Sequence, residues 1–285
     1  MRAARAVVRA LTHRRGANFS LGFRLLPPAK RRAVYAAYAA CRVPDDIVDE
    51  VEVDADKAEI AARLDGWAAE IEAAFAGTPS TAITRALAEV LQGFPIPREA
   101  LLGLVEGCRM DLEKSRYQSF AELERYCELV AVTISDISLA IFGLIREEGR
   151  ALGRHLAMAL QLTNICRDVR EDVQRGRVYL PADEMATFGV AAESLAAGEV
   201  DSPAYRQLIA FQCRRARAHF AAANPLPGCL ARDCRAAVRV MGGVYRRILD
   251  RVAADPVAAF HRRVELPAWE RVWAVAHGAC GGAFV

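Results

Sequence analysis

Two pairs of aspartates are the residues of this sequence whose type and spacing could do chemistry. Asp45 and Asp49 lie in the segment CRVPDDIVDE, and Asp168 and Asp172 lie in QLTNICRDVRED. Residues four apart share one face of a helix, so the two carboxylates of each pair repel each other unless a cation compensates them. Because Mg²⁺ prefers carboxylate and phosphate oxygens, two such faces across a cleft would hold several ions and one diphosphate.

The alternative interpretation of such a pair is a solvated helix surface that binds nothing. Apolar and aromatic residues adjoin both pairs, and Arg42 and Arg167 closely precede them. These neighbours favour a partly buried acidic site, although the spacing alone leaves both interpretations open.

The composition favours helices and gives no reason to propose nucleic acid as a partner. Hydrophobic residues make up 53% of the 285 residues, and the abundant alanine suits helices because it loses no side-chain entropy there. The net charge is only +3, without a long block of one sign. The eight cysteines form no CxxC pair and no His lies at zinc-finger distance, so we expect free thiols in a reducing cytoplasm.

No segment predicts a signal peptide or a membrane span. The basic N-terminus lacks the continuous apolar region of a signal peptide. The most apolar stretch, 129–145, is interrupted by Asp136 and is shorter than the ~20 residues that a bilayer requires. We therefore expect a cytoplasmic protein, monomeric or homodimeric, whose membrane contact is at most peripheral.

Helical periodicity runs through most of the chain and predicts one all-α, single-domain helical bundle over residues 1–285. Residues 1–17 are expected to be loosely packed or disordered. Segment 177–201, which contains Pro181 and Gly189, is expected to be a loop. The predicted helices, whose ends follow the Pro and Gly positions, are 29–51, 55–76, 80–93, 97–114, 119–145, 148–175, 202–223, 230–254 and 266–278.

The aspartate segments and the sequence around them resemble the squalene/phytoene synthase family, the head-to-head prenyl synthases, from about residue 18 to about residue 264. CRVPDDIVDE is similar to the family's CRxxDDxxDE, and QLTNICRDVREDVQRGRVYLP is similar to its QLTNIxRDVxEDxxRGRxYLP. MDLEKSRYQSFAELERYC, VYRRIL and the segment Arg262-Arg263-Val264 also fit. The resemblance implies an all-α, isoprenoid synthase-like fold with a central cavity.

The resemblance also implies roles for individual residues. The four carboxylates would bind Mg²⁺, with Mn²⁺ as an alternative ion, and Tyr126 would lie near the reaction centre. Phe19 would line the hydrocarbon end, while Arg177 and Tyr179 would lie in a loop over the site. Contacts with the diphosphates or the metal are implied for Tyr38, Arg42, Gln161, Asn164, Arg167 and Tyr245. The aromatic residues of this set could instead be ordinary core residues.

The implied reaction is the head-to-head condensation of two C15 or C20 prenyl diphosphates. Mg²⁺ and arginine would stabilise the departing diphosphate, and an apolar cavity would protect the allylic cation from water. Proton loss would give a product of the phytoene type. NADPH would be needed only if squalene is the product.

Three residues depart from the family pattern in the helix that should line the hydrocarbon channel. Val132 and Ser135 replace small residues, and Asp136 adds a carboxylate. We expect Val132 and Asp136 to contact the substrate, Val132 by narrowing the channel. In the first acidic segment, Pro44 should kink or distort the helix.

These departures keep two alternatives open. The first is a family member that transfers a shorter prenyl group to a non-isoprenoid acceptor, such as an aromatic ring. The second is a helical assembly protein without catalysis, although the presence of all four aspartates disfavours it.

Overall fold

The structure, a computed structural model, describes residues 21–49 and 56–284. Within these ranges it contains helices and no β-strand, apart from two isolated β-bridges, so the predicted all-α fold class is confirmed. The helices are α1 (Pro28–Asp49), α2 (Lys57–Ala76), α3 (Ala82–Leu91), α4 (Arg98–Glu113), α5 (Phe120–Cys127), α6 (Thr133–Phe142), α7 (Gly149–Arg167), α8 (Val169–Gln174), α9 (Ala182–Phe188), α10 (Ala192–Ala197), α11 (Pro203–Ala223), α12 (Arg235–Ala254), α13 (Pro256–His261) and α14 (Ala268–Ala279). The predictions for residues 1–17 and for Phe19 lie outside the described residues.

The segment 177–201 is not a loop throughout, so that prediction was wrong. It contains α9 and α10, which are short helices of seven and six residues. Pro181 directly precedes α9, and Gly189 and Gly198 end the two helices with φ angles of 72° and 74°. The Pro and Gly residues therefore mark the ends of short helices, because a left-handed C-cap is the conformation that glycine adopts most easily.

Two helices that were predicted as continuous are interrupted. The helix predicted over 119–145 contains a π-helical turn, Glu128–Val132, between α5 and α6. The helix predicted over 148–175 is broken at Asp168, whose φ of −103° and ψ of 15° separate α7 from α8. The amide of Asp172 still donates to the carbonyl of Asp168 at 2.9 Å, so these two aspartates keep a helical spacing.

The two helices that carry the acidic motifs run through the interior of the bundle. α1 packs against α2, α3, α4 and α6, and α7 packs against α6, α11 and α12. Small residues such as Ala33, Ala36 and Ala39 are buried along α1 and let its neighbours approach closely. Burial on several sides places the motifs at the centre of the bundle, where facing helices can build a ligand site.

All eight cysteines are free thiols, and seven of them are buried. Cys280, which follows the end of α14, is the exposed one. Buried cysteine packs as a small hydrophobic residue, which accounts for its frequency in this core. None of the helices in the described part of the chain is long and apolar enough to cross a bilayer.

Candidate active site

A cavity of about 630 Å³ opens among α1, α4, α6, α7 and α12. Along α1, the lining begins with Val34 and ends with Asp49. Along α7 it begins with Gly153 and ends with Arg167, and Asp168 continues it directly after the helix. Each helix rises ~1.5 Å per residue, so the apolar and acidic ends of these linings are on the order of 20 Å apart. The apolar wall is completed by Phe23, Ile137, Ile141, Phe142, Leu226, Leu230, Val238 and Met241.

The first acidic pair is held by one arginine from its own helix. Arg42 donates to Asp46 at 2.7 Å, and its guanidinium lies 3.5 Å from Asp45 and 3.7 Å from Asp49. From α4, the thiol of Cys108 donates to Asp45 at 3.2 Å. The carboxylates of Asp45 and Asp49 line the cavity, so α1 presents them to the interior as one face.

The second acidic pair lies at the junction of α7 and α8. The Nε of Arg167 donates to Asp168 at 2.7 Å, and the Nε of Arg263, from the segment after α13, lies 3.3 Å from the same carboxylate. Asp172 lines the cavity one helical turn further along the chain. Arginine suits this position because its planar fork matches the oxygens of carboxylates and phosphates.

Basic side chains connect the two acidic pairs at one end of the cavity. Arg177 reaches Asp49 at 3.1 Å, and Arg175 lies 3.6 Å from the same side chain. Backbone bonds fix the segment that carries Arg177: the amide of Val178 donates to Ser115 at 2.8 Å, directly after α4. The basic segment that follows the second pair therefore contacts the last carboxylate of the first pair.

Two of the carboxylates have a strongly raised pKa. Burial raises the pKa of Asp45 to about 6, although the charge of Arg42 opposes the shift. Burial raises the pKa of Asp172 to about 8, and the negative charge of Asp168 adds to the effect. The side chain of Asp45 is 37% exposed, but it faces the cavity, where neighbouring side chains exclude much of the solvent. A cation between the pairs would favour both ionised forms.

A cluster of three side chains adjoins this acidic end. Tyr126 donates to Asp111 at 3.0 Å, and Tyr179 donates to the other oxygen of Asp111 at 2.8 Å. The two tyrosine rings stack with their centroids 5.2 Å apart. Tyr126 and Tyr179 were predicted site residues, whereas Asp111 was missed. Asp111 is the aspartate of the segment MDLEKSRYQSFAELERYC, which the family resemblance includes. The spacing of acidic residues alone did not identify it as a site residue.

The other predicted polar residues also line the cavity. Asn164 donates to Gln161 at 3.3 Å, and its own Oδ1 is buried without a hydrogen-bond partner among the described residues. Tyr38 and Tyr245 lie on the walls formed by α1 and α12. Burial raises the pKa of Tyr38 to about 12, so its hydroxyl stays protonated and can donate a hydrogen bond.

Two residues that were predicted to contact the substrate lie outside the cavity lining. Val132 and Asp136 are absent from it, whereas Ala131, Ile134 and Ser135 belong to it. The physical reason is the helix period: Val132 and Asp136 are four apart and share a face that points away from the cavity. Burial raises the pKa of Asp136, and the positive charge of Arg150 opposes that shift. Of the departures in this helix, only Ser135 faces the cavity.

The expected distortion at Pro44 does not interrupt α1. α1 continues without a break from Pro28 to Asp49, with Pro44 buried inside it. The acidic face that follows the proline is therefore still helical.

The side chains at the acidic end fit Mg²⁺. They supply hard oxygen donors and the buried, unpartnered Oδ1 of Asn164. In the described ranges, no three His, Cys, Asp or Glu side chains are close enough to hold an ion by themselves. Water and substrate phosphate oxygens would complete the coordination, which is the usual way in which proteins bind Mg²⁺.

Comparison with known proteins identifies relatives along most of the chain. The family model for squalene/phytoene synthase matches residues 12–270. The phytoene synthase of Arthrospira platensis is 36% identical over 281 residues, covering 93% of this chain and 88% of that protein. The 15-cis-phytoene synthase of Synechocystis sp. is 37% identical over 273 residues, covering 92% and 80%.

Solved structures show the same architecture. A dehydrosqualene synthase in complex with a ligand has a TM-score of 0.89 at 26% identity, covering 98% of this chain and 96% of that one. The squalene synthase of Alicyclobacillus acidocaldarius has a TM-score of 0.81 at 29% identity, covering 89% and 94%. With the family match and the relatives taken together, this chain belongs to the squalene/phytoene synthase family, whose members are prenyl transferases.

Proposed function

We propose that this protein condenses two C20 prenyl diphosphates head to head into a C40 hydrocarbon of the phytoene type. The observation that carries the proposal is one cavity with two acidic pairs at one end and an apolar wall at the other. The similarity to phytoene synthases favours C20 substrates and proton loss over NADPH-dependent reduction. None of these relatives supports the alternatives of an aromatic acceptor or a non-catalytic assembly protein.

The acidic end is proposed to bind the diphosphates. Asp45, Asp49, Asp168 and Asp172 would hold Mg²⁺, or Mn²⁺ in its place, together with the amide oxygen of Asn164. The bound ion supplies positive charge that stabilises the departing diphosphate. Arginines at the same end, chiefly Arg42, Arg167, Arg177 and Arg263, bring guanidinium groups that suit phosphate oxygens.

The remaining lining residues are proposed to guide the carbon chemistry. Ionisation of the first substrate gives an allylic cation. The alkene of the second substrate attacks this cation, and loss of a first proton closes the ring of a cyclopropylcarbinyl diphosphate. This intermediate ionises at the same end, rearranges and loses a proton. The apolar wall excludes water, which would otherwise capture the cations. Asp111 orients the hydroxyls of Tyr126 and Tyr179, and either Asp111 or the released diphosphate accepts the proton.

The other polar side chains that line the cavity have supporting roles in this proposal. Tyr38 and Tyr245 donate hydrogen bonds at the diphosphate end, and Gln161 fixes the orientation of Asn164. Phe19 is proposed to line the hydrocarbon end of the cavity. Residues 1–285 are proposed to act as one catalytic domain, as a monomer or a homodimer.

Peripheral membrane contact is proposed through α14. Trp269 and Val272 are 66% and 68% exposed, and Trp273 is 40% exposed. Positions i, i+3 and i+4 share a helix face, and tryptophan favours the boundary between water and lipid. A surface of this kind would let a cytoplasmic enzyme release a hydrocarbon product close to a bilayer.

Product analysis by mass spectrometry tests the proposed reaction. The protein is incubated with Mg²⁺ and C10, C15 or C20 diphosphate, without NADPH. We expect a C40 hydrocarbon from the C20 substrate. A prenylated aromatic compound formed only when an acceptor is added, with no C40 product, would contradict the proposal.

Substitutions test the acidic end separately. Asp45→Ala and Asp168→Ala should each abolish diphosphate release and leave the helical circular dichroism nearly unchanged. Arg42→Lys should weaken activity because lysine lacks the bidentate fork of arginine. Full turnover in both aspartate variants would mean that the diphosphate binds elsewhere.

A further inference from the structure

A proline inside α1 removes one backbone donor just before the first acidic pair. Pro44 has no amide N–H, so it cannot donate to the carbonyl of Ala40 four residues earlier. Ala40 is 1% exposed, so water is not available to replace the missing donor. A buried carbonyl without a partner is costly, and such groups are nearly always hydrogen-bonded in folded proteins.

A side chain from the neighbouring helix supplies the donor. The indole Nε1 of Trp67, on α2, donates to the carbonyl of Ala40 at 3.2 Å. Trp67 is 7% exposed, so the bond is shielded from water. Proline gaps in helices are commonly tolerated where a neighbouring group satisfies the released carbonyl.

The position of this bond connects it to the acidic face. Ala40 lies five residues, or about 7.5 Å along the helix axis, before Asp45. Asp45 follows Pro44 directly, at the point where α1 lacks its own hydrogen bond. We infer that Trp67 is a positioning residue: its N–H replaces the missing backbone donor and holds the acidic turn of α1 in register with the second pair.

The inference rests on the proposed function for its catalytic consequence, but its structural part can be measured without activity. The alternative is that Trp67 contributes only packing to the core and that its hydrogen bond to Ala40 has no role in positioning α1. Trp67→Phe retains an aromatic ring and removes the N–H, and Pro44→Ala returns the backbone N–H. Combining the two changes therefore separates the hydrogen bond from the packing, since the single Trp67→Phe variant and the double variant share the same smaller ring.

The first measurement is hydrogen exchange of the peptide that spans residues 36–49, in the single and double variants. An unsatisfied buried acceptor costs enough that exchange in the Trp67→Phe protein should be about tenfold faster than in the wild type. The double variant, Trp67→Phe with Pro44→Ala, should recover most of the protection. Pro44→Ala alone should exchange no faster than the wild type.

The second measurement is the Mg²⁺ concentration that gives half-maximal diphosphate release. It should rise about tenfold in Trp67→Phe and return towards the wild-type value in the double variant. Equal impairment of the single Trp67→Phe variant and the double variant, in folding or in exchange, would overturn the inference. A wild-type protein that forms no prenyl product would instead contradict the proposed function and leave the exchange result to decide the role of Trp67.

Discussion

Asp111 accepts hydrogen bonds from two tyrosine hydroxyls through its two carboxylate oxygens. Burial raises the pKa of this carboxyl, while the charge of Arg177 and both hydroxyls oppose the rise. The arrangement fixes Tyr126 and Tyr179 as a stacked pair beside the acidic end of the cavity. A small change at Asp111 should therefore alter the chemistry more than the fold.

We expect Asp111→Asn to lower kcat by about ten- to a hundredfold, with a smaller effect on KM. The amide retains one oxygen acceptor but loses the charge, and hydrogen bonds to charged groups are worth roughly 1.5–3 kcal/mol. Steady-state kinetics of diphosphate release would measure the change. Asp65→Asn is the matched control, because Asp65 is 69% exposed and pairs with Arg109 on the surface. Equal kcat values for the wild type and Asp111→Asn would mean that Asp111 takes no part in the reaction.

The raised pKa of Asp172 predicts a pH dependence of stability in metal-free protein. Its carboxyl has a pKa of about 8 in the folded state against 3.8 ordinarily, so the folded state binds the proton more tightly than the unfolded state. The free energy of unfolding therefore falls as the pH rises from the ordinary pKa of the carboxyl towards its pKa in the folded state. Thermal melts from pH 5 to pH 8 should show a smaller decrease for Asp172→Asn than for the wild type. Parallel curves for the two proteins would contradict the assigned pKa.

At the scale of elements, α6 and α7 approach each other closely where both helices line the cavity. A Cβ atom at Gly153 would lie 2.7 Å from the Oγ of Ser135 and 2.9 Å from a methyl group of Leu139. Both distances are far below an ordinary contact between such atoms. The glycine therefore lets α6, which carries Ser135, lie directly against α7.

We expect Gly153→Ala to destabilise the protein by about 1–3 kcal/mol, because overpacking forces the two helices apart. The shift should also lower turnover of the C20 substrate more than that of the C15 substrate. Chemical denaturation and competition between the two substrates would measure these effects. Gly243→Ala on α12 is the control, since nothing lies within 4 Å of its Cβ position and alanine favours helices. If Gly153→Ala and Gly243→Ala had equally small effects on the free energy of unfolding, the proposed close contact between α6 and α7 would be contradicted.

The helices that the sequence predicted well are long and strongly periodic, such as α1, α2 and α11. Interruptions inside the predicted helices were missed, because the π-helical turn at Glu128–Val132 and the break at Asp168 depend on tertiary packing rather than on proline or glycine. The placement of Val132 and Asp136 required knowing which face of the π-helical turn and of α6 meets the cavity. The four aspartates could be named from the resemblance, whereas the contacts of Asp111 and Trp67 join residues far apart in the sequence.

Across the whole molecule, the exposed apolar face of α14 contrasts with an otherwise well-buried core. Trp269 and Val272 are exposed on this helix, and the exposed Arg262 precedes it closely in the chain. Basic residues together with aromatic ones favour anionic lipid surfaces. We expect the double variant Trp269→Ser with Val272→Ser to lose binding to anionic phospholipid vesicles in a flotation assay. Phe75→Ser on α2, where Phe75 is 36% exposed, is the control, and undiminished flotation of the double variant would place the membrane contact elsewhere.

The distribution of thiols gives this protein a natural attachment point for a reporter dye. Because Cys280 is the exposed cysteine and the other seven are buried, a maleimide fluorophore would react there first, without any engineered substitution. Cys280 follows α14 directly, about two turns beyond Trp273. The emission maximum of a polarity-sensitive dye at this position would shift as the helix moves from buffer to lipid, so attachment of the enzyme to a lipid surface could be followed by fluorescence.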